Sequence, residues 1–146
     1  MRIAVIDGQG GGIGRHIVEK LRRELPEDVE FLALGTNALA TSAMLRAGAN
    51  EGATGENAVV YNARRVDLIV GPLSILVPNA MLGELTPEMA LAVADSPARK
   101  VLIPLSRSGV EIVGLRGEPL PHLIEELIKK VKEILQLSGR SGGEFA

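Results

Sequence analysis

Cysteine and tryptophan are both absent from this 146-residue chain, and its aromatic residues are one tyrosine and two phenylalanines. Without cysteine there is no disulfide framework and no thiolate chemistry. Charge of one sign is also lacking: 16 Lys plus Arg stand against 18 Asp plus Glu, a net charge of −2. No basic block is present to act as a footprint for nucleic acid or anionic lipid, so neither is an expected partner. Long apolar runs are missing too. The longest uncharged stretch, "LIVGPLSILVPNAMLG" from Leu68 to Gly83, has 16 residues and is broken by Pro72 and Pro78, whereas a spanning helix needs about 20 unbroken apolar residues. It reads as a buried strand followed by an apolar loop. Met1 leads directly into a strand pattern with no signal-peptide apolar region, which gives the expectation of a cytoplasmic protein.

What the sequence does have is glycine, concentrated at one place. "IDGQGGGIG", Ile6 to Gly14, holds five glycines in nine positions. Before it, "RIAVID" is a short β-branched run; after it, Ile13, Ile17, Leu21 and Leu25 recur at helical spacing. Strand, tight turn and amphipathic helix follow from that pattern. Pro26 closes the helix and "VEFLALG" (Val29 to Gly35) supplies a second strand, completing a right-handed βαβ unit.

A helix over "TNALATSAMLRAGA" comes next, then the polar loop "GANEGATGENA" (Gly48 to Ala58) leading into another helix. "VDLIVG" has the continuous apolar character of a central parallel strand. Thr86-Pro87 is an N-cap followed by proline at the first helical position, predicting a helix to about Asp95. "KVLIPL" and "VEIVGL" are separated only by Ser106, Arg107, Ser108 and Gly109, too short for a crossover, so they are expected to form an antiparallel hairpin. From Leu123 to Leu137 an apolar stripe faces a charged one, the pattern of a terminal helix. The expected fold is a three-layer Rossmann-like α/β domain over residues 1–137, strand order 2-1-3-4-5, with four parallel strands and an antiparallel edge. Residues 138–146 have the composition of a flexible tail.

A glycine-dense turn from strand to helix lets a ligand approach the main chain, and the helix N-terminus behind it offers unpaired N–H groups with partial positive charge. Phosphate is the natural guest. The dinucleotide spacing G-x-G-x-x-G fails here, because from Gly8 or Gly10 the third glycine falls on Ile13 or Arg15; G-x-x-x-G-x-G fits as Gly8, Gly12 and Gly14.

"DGQGGGIGRHIVEKLRREL" resembles the "TGxxxGIG" cofactor loop and first helix of short-chain dehydrogenase/reductases, and the resemblance implies that Gly8, Gly12, Ile13 and Gly14 contact a pyrophosphate. Asp7 stands where that family has Thr, "GPLS" replaces its "NNAG", and its Tyr-x-x-x-Lys is missing, since Tyr61 and Arg65 lie before the central strand. Reduction by that family's mechanism is therefore not expected. Over most of its length, through "IDGQGGGIG", "ALGTNALATSAMLRAGANEGATGENA" and the "VGP" strand end, the chain resembles a family of short bacterial proteins without an assigned activity. That resemblance implies a Rossmann-like domain and leaves the function open.

In open α/β sheets ligands bind outside the carboxyl ends of the strands at the switch point, placed here between the strands ending at Asp7 and Gly71. The expected ligand-binding set is Gly8, Gln9, Gly10, Gly11, Gly12, Ile13, Gly14, Thr36, Asn37, Gly71, Pro72 and Ser74, with Asn50, Thr54 and Asn57 as candidates for a lid. The acidic residue that binds ribose at the end of strand two in NAD sites is replaced by Gly35, Thr36 and Asn37. NAD, NADP, a mononucleotide or a phosphorylated metabolite all remain open. Asp7 could serve a metal such as Mg²⁺ together with Glu51 or Glu56, or it could be satisfied by the N–H groups of its own turn. Thr54 could instead be a helix N-cap. His16 and His122 are isolated and read as surface residues, so no metal site is expected. Arg107 reads as a hairpin-turn residue or a phosphate clamp. The function expected is binding of a phosphate-containing small molecule, a nucleotide or dinucleotide, with an NADP-linked reductase or other phosphate-ester enzyme using Asp7 and the middle-loop carboxylates Glu51 and Glu56, and a ligand-free scaffold subunit, as alternatives. The apolar Leu73 to Leu82 loop points to a homo-oligomer.

Overall fold

The computed structural model describes residues 1–104 and 109–144. Five strands form one wholly parallel sheet in the order β3-β2-β1-β4-β5. They are β1 (Arg2–Asp7), β2 (Glu30–Gly35), β3 (Glu51–Thr54), β4 (Leu68–Pro72) and β5 (Arg99–Ile103). The helices are α1 (Gly12–Glu24), α2 (Ala38–Ala47), α3 (Glu56–Asn62), α4 (Pro87–Asp95) and α5 (Leu120–Glu144), with a 3₁₀ turn at Leu73–Leu76.

Because β1 is buried on both faces, its alternate residues feed two cores. Ile3 and Val5 join Ile17, Val18 and Leu21 of α1, Met44 of α2 and Ile124, Leu127, Ile128 and Val131 of α5. Ala4 and Ile6 join Val59 of α3, Ile75, Leu85, and Met89 and Val93 of α4. The result is the expected three-layer arrangement, with α1, α2 and α5 on one face and α3 and α4 on the other. α4 begins as its sequence implies, Thr86 Oγ1 accepting from Met89 N at 3.2 Å with proline behind it. α5 runs past Leu137, where the apolar stripe ends, to Glu144.

Two expectations about the sheet are corrected. The polar segment Glu51–Thr54 is a strand, pairing with β2 in the register Leu32↔Glu51 to Gly35↔Thr54. The expected order 2-1-3-4-5 thereby gains an edge strand and becomes 3-2-1-4-5. An edge strand covered by little apolar surface carries no periodic signal; three of its four residues are exposed. Gly52 leaves room for α2, since a Cβ there would stand 2.9 Å from Thr41 Cγ2. At the opposite edge β5 has no antiparallel partner among the described residues: Val110 to Leu115 contains no strand, and β5 pairs in parallel with β4. Strand propensity in "VEIVGL" is not backed by burial, as Val113 is fully exposed. The intervening Ser106, Arg107 and Ser108 lie outside the described residues.

One polar side chain fastens the amino end of the sheet. Arg22 of α1 donates through Nε and Nη2 to Gly48 O at 3.1 and 2.9 Å, through Nη1 to Val29 O at 3.2 Å, and through Nη2 to Asn50 Oδ1 at 2.6 Å. Its guanidinium also lies 4.2 Å from the Phe31 ring centroid. Several partly buried acceptors thus depend on one planar donor, which lysine cannot replace geometrically. Arg22→Ala is expected to lower unfolding free energy by about 2 kcal/mol, read as a drop in the urea midpoint at constant slope. A drop of less than about 0.5 kcal/mol would show that water replaces these bonds.

Candidate functional site

β1 and β4 are adjacent while their connections run to opposite sides, so the switch point lies beyond Asp7, at the carboxyl end of β1. The glycine-rich turn occupies this position, and its glycines fall into two groups. At Gly8 a Cβ would meet Thr36 Oγ1 and Met81 Sδ. At Gly11, φ is +73° and a Cβ would come 2.8 Å from Ala40 Cα, so this glycine allows α2 to approach. At Gly14 a Cβ would come 2.6 Å from Met44 Sδ and 2.9 Å from Asp7 Cβ. These three glycines are explained by packing and backbone geometry. Gly10 and Gly12 are not: neither has a positive φ, and a Cβ at either would have open space within 4 Å.

The N–H groups divide in the same way. Gly11 N donates to Gly8 O at 2.9 Å, and Gly14 N to Asp7 Oδ2 at 2.7 Å. Gly10, Gly12 and Ile13 have N–H groups without a hydrogen-bond acceptor among the described residues. Gly10 and Gly12 are exposed and Ile13 is half-buried. The first turn of α1 carries no acidic side chain to complement its positive end.

Asp7, 4% exposed, is held by its own turn: Oδ1 accepts from Gly8 N at 2.8 Å and Oδ2 from Gly14 N at 2.7 Å. Burial raises its pKa above 3.8, the N–H groups of Gly14 and Gly8 oppose that rise, and the nearby Glu84 carboxylate adds to it. Its carboxylate is a brace between strand and helix. Glu51 is not brought to it: that side chain turns to Arg2, at the other end of β1, with Oε1 2.9 Å from Arg2 Nη2. Glu56, at the start of α3, accepts from Thr86 Oγ1 at 2.5 Å. Among the described residues no group of three His, Cys, Asp or Glu side chains is placed to hold a metal ion. His16 is exposed on α1, and His122 Nε2 lies 2.7 Å from Glu118 Oε2, far along the chain from the glycine turn.

The lid candidates are placed elsewhere as well. Asn50 Oδ1 accepts from Phe31 N at 2.8 Å, at the amino end of the sheet. Thr54 ends β3 and shares a 2.7 Å hydrogen bond with Thr41 Oγ1, leaving Gly55 as the N-cap of α3. Asn57 is exposed on α3. The segment that covers the strand ends is the one after β4. It folds back through Asn79, Met81, Leu82 and Gly83, with φ of 65°, 59°, 57° and 93°. A left-handed conformation costs a non-glycine residue roughly 1–2 kcal/mol, so local bonds must hold it. Asn79 N donates to Leu85 O at 2.8 Å, Leu85 N to Ala80 O at 3.1 Å, and Leu85 itself is fully buried. Met81 then rests on Gly8, while Leu82 at the tip is 98% exposed. On the β4 side Gly71 and Pro72 are buried and Ser74 is half-buried, with Gly71 packed on the Ile6 carbonyl.

This same segment delivers a residue that the sequence did not single out. Glu84 Oε1 accepts from Gln9 N at 2.8 Å, Thr36 Oγ1 at 2.7 Å and Asn37 Nδ2 at 2.7 Å. The Gln9 N–H, followed by the Thr36 hydroxyl, holds its pKa below 4.5. Asn37 also donates to Gln9 O at 2.9 Å and caps α2 by accepting from Ala40 N at 2.9 Å. Gln9, Thr36 and Asn37 are therefore brought together around a carboxylate some fifty residues beyond Asn37, whose position no local pattern encodes.

The fold has a relative among solved structures. The crystal structure of a dodecameric FMN-dependent UbiX-like decarboxylase from Escherichia coli O157:H7 superimposes with a TM-score of 0.52 at 15% identity, over 93% of this chain and 95% of that one. At that identity the likeness is one of fold. No curated protein sequence matches this chain. Among the described residues no helix is long and apolar enough to cross a membrane. A family model does match, over residues 2–136, and the chain accordingly belongs to the family described as Domain of unknown function (DUF3842).

Proposed function

We propose that this chain binds a phosphate-bearing small molecule, a nucleotide or dinucleotide, at the turn from Gly8 to Gly14. The observation that carries the reading is the pair Gly10 and Gly12. Glycine in the first turn of a helix costs roughly 0.5–1 kcal/mol relative to alanine; Gly12 opens α1 and Gly10 lies in the turn before it, and neither packing nor a positive φ accounts for glycine at either position. A ligand that must touch the main chain does account for it. The N–H groups of Gly10, Gly12 and Ile13 would take the phosphate oxygens, with the positive end of α1 behind them. Thr36 and Asn37 would border the remainder of the ligand, and Gly71, Pro72 and Ser74 would form the floor of the crevice on the β4 side. Asp7 supports the turn from beneath rather than touching the ligand.

The FMN dependence of a protein with the same fold adds a flavin mononucleotide to the ligands worth testing. Its dodecameric assembly accords with our reading of this chain as a homo-oligomer, for which the exposed Leu82 offers a contact point. Thermal-shift measurements with inorganic phosphate, AMP, FMN, NAD and NADP, each with and without Mg²⁺, test the proposal. Saturation at 100 times Kd adds about 2.7 kcal/mol to the native state, a rise in Tm of roughly 5–10 °C for a domain of this size. No shift with any phosphate compound would overturn it. A shift that requires Mg²⁺ and disappears in Asp7→Asn would instead favour an enzyme working through that carboxylate.

A further inference from the structure

NAD-type sites place an acid at the end of the second strand, where its carboxylate accepts from the ribose hydroxyls. In this chain that strand ends in Gly35, Thr36 and Asn37, all neutral. The three-dimensional structure nevertheless puts a carboxylate there. Glu84 arrives from the segment between β4 and α4, and one of its oxygens, Oε1, takes all three protein donors: Gln9 N, Thr36 Oγ1 and Asn37 Nδ2. All of its carboxylate's hydrogen bonds among the described residues are made by Oε1, none by the other oxygen, Oε2. A carboxylate oriented by three donors on one oxygen and open on the other is arranged to accept from further hydroxyls.

Gln9, whose N–H binds Glu84, immediately precedes Gly10, whose N–H has no acceptor among the described residues. A phosphate on the turn and a hydroxyl-bearing group at Glu84 would thus be neighbours, as in a nucleoside 5′-phosphate. We propose that Glu84 is the ribose-binding, specificity-determining residue of this site, its Oε2 accepting from a free 2′,3′-diol. The inference rests on the phosphate-turn reading above. It narrows the ligand to nucleotides with an unsubstituted ribose, AMP-like or NAD-like, and excludes those carrying a 2′-phosphate, which would set two anions side by side in a cluster of Gln9, Thr36, Asn37 and Glu84 that contains no cation.

Calorimetric titration of the full chain tests this with AMP, 2′-deoxy-AMP, adenosine 2′,5′-bisphosphate and inorganic phosphate, each against wild type and Glu84→Gln. Wild type is expected to bind AMP about 10-fold to 100-fold more tightly than the 2′,5′-bisphosphate, the difference made by a charge-assisted hydrogen-bond pair. 2′-deoxy-AMP should fall between them. In Glu84→Gln the preference for AMP over the bisphosphate should shrink about tenfold, and inorganic phosphate should bind no more weakly than to wild type, since one nearby negative charge is removed. Equal wild-type affinity for AMP and the bisphosphate, with phosphate binding retained, would overturn the ribose assignment and leave the phosphate reading standing. An AMP-to-bisphosphate ratio that is the same in Glu84→Gln as in wild type would also overturn it, by showing that Glu84 does not contact the ribose. Failure of both proteins to bind any probe would sink the phosphate reading and the ribose assignment together. The wild-type ratio decides the matter even if the variant folds poorly.

Discussion

Asp7→Ala is expected to destabilise the protein by about 3 kcal/mol, the largest effect of any single substitution at the site. Its two oxygens satisfy the N–H groups of Gly8 and Gly14, both buried. Removing the side chain leaves two donors without a partner, at about 1–3 kcal/mol each, partly offset by relief from burying a charge. Asp7→Asn should recover only part of the loss, because one face of the amide presents N–H to an N–H. The dependence on pH has a definite sign. With the folded-state pKa raised above 3.8, chiefly by burial, the native state holds this proton more tightly than the unfolded chain does. Asp7 therefore adds stability as pH falls through its folded-state value towards 3.8, and withdraws it as pH rises again. The alanine variant lacks this gain, so its deficit should be larger at pH 4 than at pH 7. Urea unfolding of both proteins at the two values measures it. A deficit that shrinks on acidification would show that the two N–H bonds outweigh burial.

The second large effect concerns affinity. Gly12→Ala should weaken binding of a phosphate ligand by about 100-fold, since a methyl group would stand where main-chain approach is required and one phosphate contact is worth about 1.5–3 kcal/mol. Stability should stay unchanged or rise by up to about 1 kcal/mol, because alanine is the better helix residue and the space before Gly12 is open. Gly14→Ala is the opposite case. Its methyl would meet Met44 Sδ at 2.6 Å and Asp7 Cβ at 2.9 Å, and overpacking of this kind costs about 1–3 kcal/mol. Measured together by thermal unfolding and ligand titration, the two variants separate a glycine kept for a ligand from one kept for packing. If Gly12→Ala binds phosphate compounds as wild type does, the ligand is not carried by this turn.

The glycine turn is open to two explanations, close packing or ligand approach, and packing and backbone geometry account for some of its glycines and not for Gly10 or Gly12. Gly8, Gly11 and Gly14 belong to packing. That division could not be read from spacing, because it depends on Ala40, Met44 and Met81, which reach the turn from other elements. Asp7 likewise has both a ligand and a structural use when seen only as a letter before glycines. Its two short bonds to Gly8 N and Gly14 N supply the structural use.

Periodic burial was legible along the chain, and it determined most of the elements by itself. β1, β2 and β4 are apolar because both faces of a central parallel strand are covered, and α1 and α5 are amphipathic because each has one covered face. Those constraints repeat residue by residue and leave a mark in one dimension. Glu51–Thr54 escaped because an edge strand is held by main-chain bonds to β2, which any sequence can make. "VEIVGL" misled because strand propensity without a covered face has nothing to bury. Glu84 was invisible for a third reason: a strained turn, closed by Leu85 in the core, carries it to Gln9, Thr36 and Asn37. The sequence by itself thus determined the layers, the parallel core strands and the position of the glycine turn at the switch point. Only the tertiary structure decided the sheet edges, which glycines are packed against other elements and the acid beside them, because each is set by contacts between residues that no local period connects.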